Sequence, residues 1–380
     1  MKKLLFAVAV IVWSGACGGG GGAAKGGTTP KNATGSGGSQ SMTDTGDPTM
    51  GPNAGGGGNG GGTAGGGGAN GGGGGSNGAF GGGGDPNAGQ DAPVVFPNLD
   101  PDPQQAKSQV DQHLQVARGA LSQATPDPDT ALREAKEALK IDATSVDAAA
   151  YVAFAYYHKK QYDTAELVLD DVFKRDAGKK NPGIYYVYGL VYDHTNRPEQ
   201  ATLAFKKAVE LNPNFASAWV NVGVHQLQNK QYQEAMSTFE KVTGQFNRSD
   251  AVTMTSLGSA YRGHSADFPP GSGDRNKLII AAENAYKKAI NQNPTYGPAY
   301  FNLALLYLDA DPFPSGGGTL DPIQRLNTAK DYLDKYKSMP GFDVKLYDER
   351  TKDVTKAIKR AQKQQKANKS APPAKKGGTQ

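Results

Sequence analysis

The sequence predicts an all-α fold, a solenoid of stacked helical hairpins, and two observations carry that prediction. In the first, residues 182–215 set Tyr185, Tyr188, Gly189 and Tyr192 in one helical-period segment and Ala201, Phe205 and Ala208 in a second, followed by Pro213. Two short antiparallel helices approach closely only where small side chains meet. Gly189 is therefore expected against Ala201, with Tyr188, Tyr192 and Phe205 filling the space around that contact and Pro213 ending the second helix. The second observation is recurrence. A step of 34 residues lands on Trp219, Val222, Gly223, Ala235 and Phe239, and a step one residue longer lands on Met254, Leu257, Gly258 and Tyr261. Stepping back finds Val152, Ala153, Tyr156, Ala165, Leu169 and Val172. One such hairpin cannot bury its apolar face alone, so the repetition is what supplies a core.

The pattern of a bulky residue, a large-small pair, an aromatic and then Ala, Phe, Ala and Pro resembles the tetratricopeptide repeat (TPR). The resemblance implies a TPR helix-hairpin solenoid of about five repeats, with a degenerate N-terminal repeat before them and a C-terminal capping helix after them. A disordered glycine-rich tether precedes the array.

At the N-terminus, Lys2 and Lys3 are followed by an apolar run from Leu4 to Trp13 and by small residues Ser14, Gly15 and Ala16. Residues 1–16 therefore read as an export signal, too short for a spanning helix of about 20 residues. The lone cysteine of the chain, Cys17, comes next, in a position that resembles the lipobox of bacterial lipoproteins. The resemblance implies lipid attachment at Cys17 and, because Gly18 follows it, an outer-membrane destination facing the periplasm or the surface. Ordinary secretion after the small-residue stretch is the other reading, and it leaves an unpaired thiol unexplained.

Residues 17–103 are the tether. Most of the 52 glycines of the 380-residue chain fall there, with too few apolar side chains to offset the entropy of ordering it. Some eighty residues of this composition span typically about 50 Å. Its G-x-G-x-x-G matches come from composition, with no strand before and no helix after, so they carry no nucleotide-binding reading.

The solenoid is expected over residues 104–342. Its first repeat, 104–145, is degenerate: Val110, Leu114, Ala117 and Leu121 recur at helical spacing, Gly119 falls at the small position and Arg118 at the large one. Asp127, between two prolines, is the expected cap of the second helix. Regular repeats begin at Val146, Pro182, Ala216, Ala251 and Gly297. The last two carry additions, RGHSADFPPGSGDRNK and DADPFPSGGGTLDPIQ, which fall between the two helices of their hairpins and are expected to project from one edge. Such additions read either as a binding edge or as drift in exposed loops.

A capping helix is expected over 343–368, with Val344, Tyr347, Val354 and Ile358 on its apolar side and charges opposite. A disordered basic tail, 369–380, ends the chain. The formal charge is +5, yet from Lys356 onward there are eight Lys or Arg and no acid, so the basic character is local. The tail reads as a contact for acidic partners or an anionic surface, or as a solvated end without a partner. Nucleic acid does not suit an exported chain.

The sequence offers no H-E-x-x-H spacing among its five histidines, no G-x-S-x-G elbow and no phosphate loop. The reading is therefore of a protein that is not an enzyme, with no cofactor, no metal and no small-molecule substrate. An enzyme with an unrecognised site is the rival from another class. What the TPR resemblance implies is partner binding in a groove lined by the first helices. Carried over, the groove positions are Tyr151, Phe154 and Tyr157 (one of two register choices, because the turn of that repeat is compressed), then Tyr186, Leu190, Asp193 and His194, then Asn221, Val224 and Gln228, then Ser256 and Ser259, then Asn302 and Leu305. The partners implied are other envelope proteins, with the membrane held through the lipid. In domain order the chain resembles the TPR lipoproteins of adventurous gliding motility. An adaptor docking cell-wall hydrolases or secretion and type IV pilus components is the alternative.

Overall fold

The computed structural model describes residues 102–370 apart from Ala124. The export signal, Cys17 and the glycine-rich tether lie outside the described residues, as do residues 371–380 of the basic tail.

The described residues form thirteen α-helices. In chain order these are α1 (Pro103–Leu121), α2 (Pro128–Ile141), α3 (Val146–His158), α4 (Tyr162–Phe173), α5 (Pro182–His194), α6 (Pro198–Leu211) and α7 (Ala216–Gln228). They continue with α8 (Tyr232–Gly244), α9 (Ala251–Ser265), α10 (Gly273–Gln292), α11 (Gly297–Asp309), α12 (Pro322–Lys337) and α13 (Val344–Ser370). A two-stranded antiparallel ribbon, β1 (Pro314–Ser315) with β2 (Gly318–Thr319), interrupts the connection from α11 to α12. Each odd helix up to α11 packs on the even helix that follows it and on its neighbours along the array, which is a TPR-type helix-hairpin solenoid.

Local sequence sets the helix starts. Asp127 accepts a hydrogen bond from the Thr130 amide at 3.1 Å with Pro128 as the first helical residue, and Asn181 does the same for Ile184 at 3.2 Å ahead of Pro182. Ser145, Asp250, Ser272 and Asp321 cap α3, α9, α10 and α12 through their side chains in the same manner. The turn inside a hairpin is also repeated: Lys160, Asn196 and Lys230 adopt φ of 59°, 60° and 60°. A left-handed lysine costs about 1–2 kcal/mol, of which glycine would recover part after its own entropic cost of about 0.5–1 kcal/mol. Lys230→Gly is thus expected to raise stability by roughly 0.5 kcal/mol, whereas Lys206→Gly inside α6 lowers it by about 1 kcal/mol. Chemical denaturation of both variants checks the sign, and a loss at Lys230 equal to that at Lys206 refutes the turn geometry.

In three hairpins the small position has a different partner from the one expected. A Cβ on Gly189 would lie 2.5 Å from the Phe205 ring, one on Gly223 2.7 Å from Phe239, and one on Gly258 2.7 Å from Tyr286. Glycine therefore seats an aromatic ring of the second helix rather than Ala201, because a flat ring fills the gap between two helix backbones more completely than two small residues do. Tyr188 turns instead toward α4 of the preceding hairpin, donating to Asp170 at 2.6 Å, and Tyr192 stacks on Tyr188.

Three further expectations change. Gly119 is exposed with nothing within 4 Å of a built Cβ, and the inward residues of α1 are Val110, Leu114, Ala117, Ala120 and Leu121. The tight position in the first hairpin thus lies off the repeat register. The addition in the fourth repeat lengthens both flanking helices, so that α9 runs to Ser265, α10 has 20 residues, and only residues 266–272 form a loop. In the fifth, Phe313 is 2% exposed and stacks on Tyr307 at 4.5 Å, tying the loop down. The two additions do share an edge: a Cβ on Gly271 would meet Pro312 at 3.5 Å. Finally, Val354 of α13 is fully buried while Val344 is 59% exposed, the first turn of α13 packing through Leu346 and Tyr347 instead.

The core runs along the array. One cluster spans α1 to α7, a second α7 to α11 and a third α10 to α13. Trp219 bridges the first pair, and Tyr261 and Ile290 bridge the second, so each hairpin is stabilised by its neighbours.

Candidate functional site: the row of first helices

α3, α5, α7, α9 and α11 lie side by side as the first helices of five hairpins. Their facing side chains meet across the helix boundaries. The Arg118 Nε of α1 donates to the Tyr151 hydroxyl of α3 at 3.0 Å. Phe154 of α3 meets Tyr186 of α5 edge-on at 6.1 Å, and Tyr186 meets Phe215, the residue before α7, at 4.8 Å. At the C-terminal ends of α3 and α5, Tyr157 lies 5.1 Å from the His194 ring, and Tyr162 stacks on the same imidazole at 5.0 Å.

These contacts bring the expected groove residues together but cover most of them. Tyr151, Phe154, Tyr157, Tyr186, Leu190, Asp193, Asn221, Val224 and Asn302 are buried, as are Ser256, Ser259 and Leu305. Gln228 is half-buried, and His194 is exposed. The expected open row is closed: at α3 and α5 aromatic rings meet across the helix boundary, whereas Asn221, Ser259 and Asn302 turn back to donate to the Ser217, Thr255 and Pro298 carbonyls of their own helices. What reaches the surface is a rim at the helix ends, made of His158, Tyr162, His194 and Gln228.

Beneath the rim is a buried acid–base pair that the spacing of residues does not announce. Asp193 Oδ2 lies 3.6 Å from His225 Nε2, the side chains being 1% and 2% exposed, and His225 Nδ1 lies 3.0 Å from the Thr202 hydroxyl. Asp193 was legible as a groove position. Its partner was not, since His225 falls outside the groove register. Arg248 is a second residue that the sequence left unmarked. Its Nη1 donates to the Ser217 hydroxyl at 2.7 Å and its Nε to Asp250 at 3.0 Å. Burial opposes the ionisation of Asp250, yet Arg248 and the bonds from Thr253 hold its carboxyl below the usual range. Asp147, at the start of α3, goes the other way: burial pushes it up, partly offset by the Asn181 amide donating to it at 2.6 Å. Among the described residues, no group of three or more His, Cys, Asp or Glu is placed to hold a metal ion, and no helix is long and apolar enough to cross a membrane.

Comparison with known proteins agrees with the hairpin geometry. The family model described as anaphase-promoting complex, cyclosome, subunit 3 matches residues 158–242, and the one described as tetratricopeptide repeat matches residues 285–330. No curated protein matches the chain by sequence. Among solved structures it is similar to the APC/C hetero-tetramer Cut9–Hcn1, at 15% identity and a TM-score of 0.47, over 68% of this chain and 44% of that one, so it spans less than half of that relative's length. It is also similar to pilF of Pseudomonas aeruginosa, at 18% identity and a TM-score of 0.48, over 65% of this chain and 99% of that one. For PilW, a type IV pilus biogenesis factor, the values are 19% and 0.43, over 60% and 95%. The matched models support the TPR family for the hairpin array, and a TPR array is a scaffold suited to protein–protein interaction.

Proposed function

We propose that the chain is a non-enzymatic scaffold of the bacterial cell envelope, anchored in the outer membrane by lipid on Cys17, that gathers other envelope proteins along its row of first helices. The observation that carries the binding role is the aromatic and imidazole rim of that row. His158, Tyr162 and His194 stand at the ends of adjacent hairpins, on a support of packed rings that holds them in place. Rigid aromatic groups with a polar edge are the side chains that most often anchor protein interfaces. The process we assign is gliding motility, from the domain order of export signal, Cys17, tether and solenoid. A partner set of wall hydrolases or pilus components would replace it with the adaptor reading.

The test is capture from envelopes with a photo-crosslinking residue at His194 or at Gln228, compared with one in the 266–272 loop and with removal of residues 363–380. Crosslinks from His194 and Gln228, surviving the tail deletion, are expected. Capture confined to the loop moves the binding face to the insert edge, and loss with the tail alone makes the solenoid a mere support. Tyr186→Ala is a poor probe because the side chain belongs to the core. In parallel, Cys17→Ala is expected to shift the protein from the membrane to the soluble fraction with unchanged helical content, and unchanged partition would remove the anchor.

A further inference from the structure

Away from the row of first helices, a cavity of about 510 Å³ opens between α4 and α6 over the outer side of α5. Its walls are aromatic: Phe173 meets Tyr185 and Tyr188 edge-on at 5.7 and 5.8 Å, and Tyr188 stacks on Tyr192 at 5.4 Å. The exposed carboxylate of Asp170 stands in the wall, accepting from the Tyr188 hydroxyl at 2.6 Å, and the exposed Leu203 forms part of the lining. The Tyr192 ring is already taken by the Arg197 guanidinium at 4.4 Å, which Glu166 grips through two bonds of 2.8 and 2.6 Å.

The next repeat shows what such a wall receives. Trp219 stands one period after Tyr185, and the two rings are pinned alike. The Tyr185 hydroxyl donates to the Lys179 carbonyl at 3.1 Å, and Trp219 Nε1 donates to the Pro213 carbonyl at 2.8 Å, each to the residue six positions earlier. Lys241 lies over the Trp219 ring with its Nζ 3.7 Å from the centroid. The residue one period before Lys241 is Lys207, which lines the cavity beside Tyr185. Lys207 is drawn off to Glu210 at 2.7 Å, a carboxylate whose counterpart one period later is Gly244. The bond to Glu210 also raises the pKa of Lys207. One repeat thus fills its aromatic seat with its own lysine, and the other diverts that lysine.

We infer that the cavity lined by Phe173, Tyr185, Tyr188 and Asp170 is a second binding site, one that takes a lysine side chain presented by a partner protein. The ammonium sits on the Tyr185 ring as Lys241 sits on Trp219, the free oxygen of Asp170 complements its charge, and its methylene stem lies along Leu203. The site is independent of the inner rim, so either can fail without the other.

The test uses the full chain and a defined probe, Nα-acetyl-lysine N-methylamide, followed by NMR of labelled leucine methyls. Saturable shifts at Leu203 are expected, with Nα-acetyl-norleucine N-methylamide, which has the stem without the charge, binding about fivefold more weakly. Tyr185→Leu, which keeps an apolar contact and loses the ring, is expected to weaken the lysine probe by a similar factor. Glu210→Gln, a change outside the cavity on an exposed pair, should release Lys207 onto Tyr185 and block the probe. Glu210→Gln with Lys207→Gln should restore binding. Equal shifts with both probes, or a Glu210→Gln variant that binds the lysine probe as wild type does, overturns the proposal. So does tight binding of tetramethylammonium with none of the lysine probe, which would make the ligand a quaternary ammonium compound.

Discussion

Gly189→Leu is expected to be strongly damaging, costing about 3 kcal/mol or more. Already a Cβ would approach the Phe205 ring at 2.5 Å, and Phe205 is fully buried between α5 and α6, so neither ring nor backbone has room to yield. The hairpin must then open, and the hairpins on either side lose the surface they pack against. Gly119→Ala is the matched comparison. It is also a helical glycine of a first helix, but nothing lies within 4 Å of its built Cβ, and the gain in helix propensity should stabilise α1 by about 0.5–1 kcal/mol. Thermal melting of the two variants should move in opposite directions. If both fall, glycine is tolerated for its backbone alone and the ring-seat account is wrong.

The second large effect is expected at the buried pair beneath the rim. His225→Leu leaves the Asp193 carboxylate 1% exposed without its imidazole, and breaking a buried pair from one side typically costs about 3–5 kcal/mol. Asp193→Leu is expected to cost less, because His225 keeps the Thr202 hydroxyl at 3.0 Å. Replacing both with leucine removes the polar groups together, so the double variant should be more stable than either single one. Denaturation of all four proteins closes the cycle, and simple additivity would show that Asp193 and His225 do not act as a pair. Since His194 follows Asp193 on α5, the single variants should also weaken capture at the rim, while the double variant, its backbone held by packing, should retain it.

How far each feature could be read without coordinates depended on how local its cause is. The starts of the five regular repeats at Val146, Pro182, Ala216, Ala251 and Gly297 coincide with helix starts, because a cap such as Ser145 or Asn181 and a following apolar period act within a few residues. The absence of a familiar catalytic motif was likewise a property of the letters. The groove positions were found as a register but not as a surface. Tyr186 is turned toward the row as expected, yet whether it meets water depends on Phe154 and Phe215, residues 32 positions before and 29 after it.

By itself the sequence determined the helix-hairpin period, the cap at Asp127, the place of the two additions and the small positions Gly189, Gly223 and Gly258, since these follow from backbone geometry and from steric limits between neighbours in the chain. Tertiary structure alone decided that Gly189 seats Phe205 rather than Ala201, that Asp193 meets His225, and that Lys207 turns to Glu210 while Lys241 turns to Trp219. In each case two or more partners lie within reach of one side chain, and the choice rests on distances of a few ångströms between separate helices, set by how every other side chain in the stack fills its space.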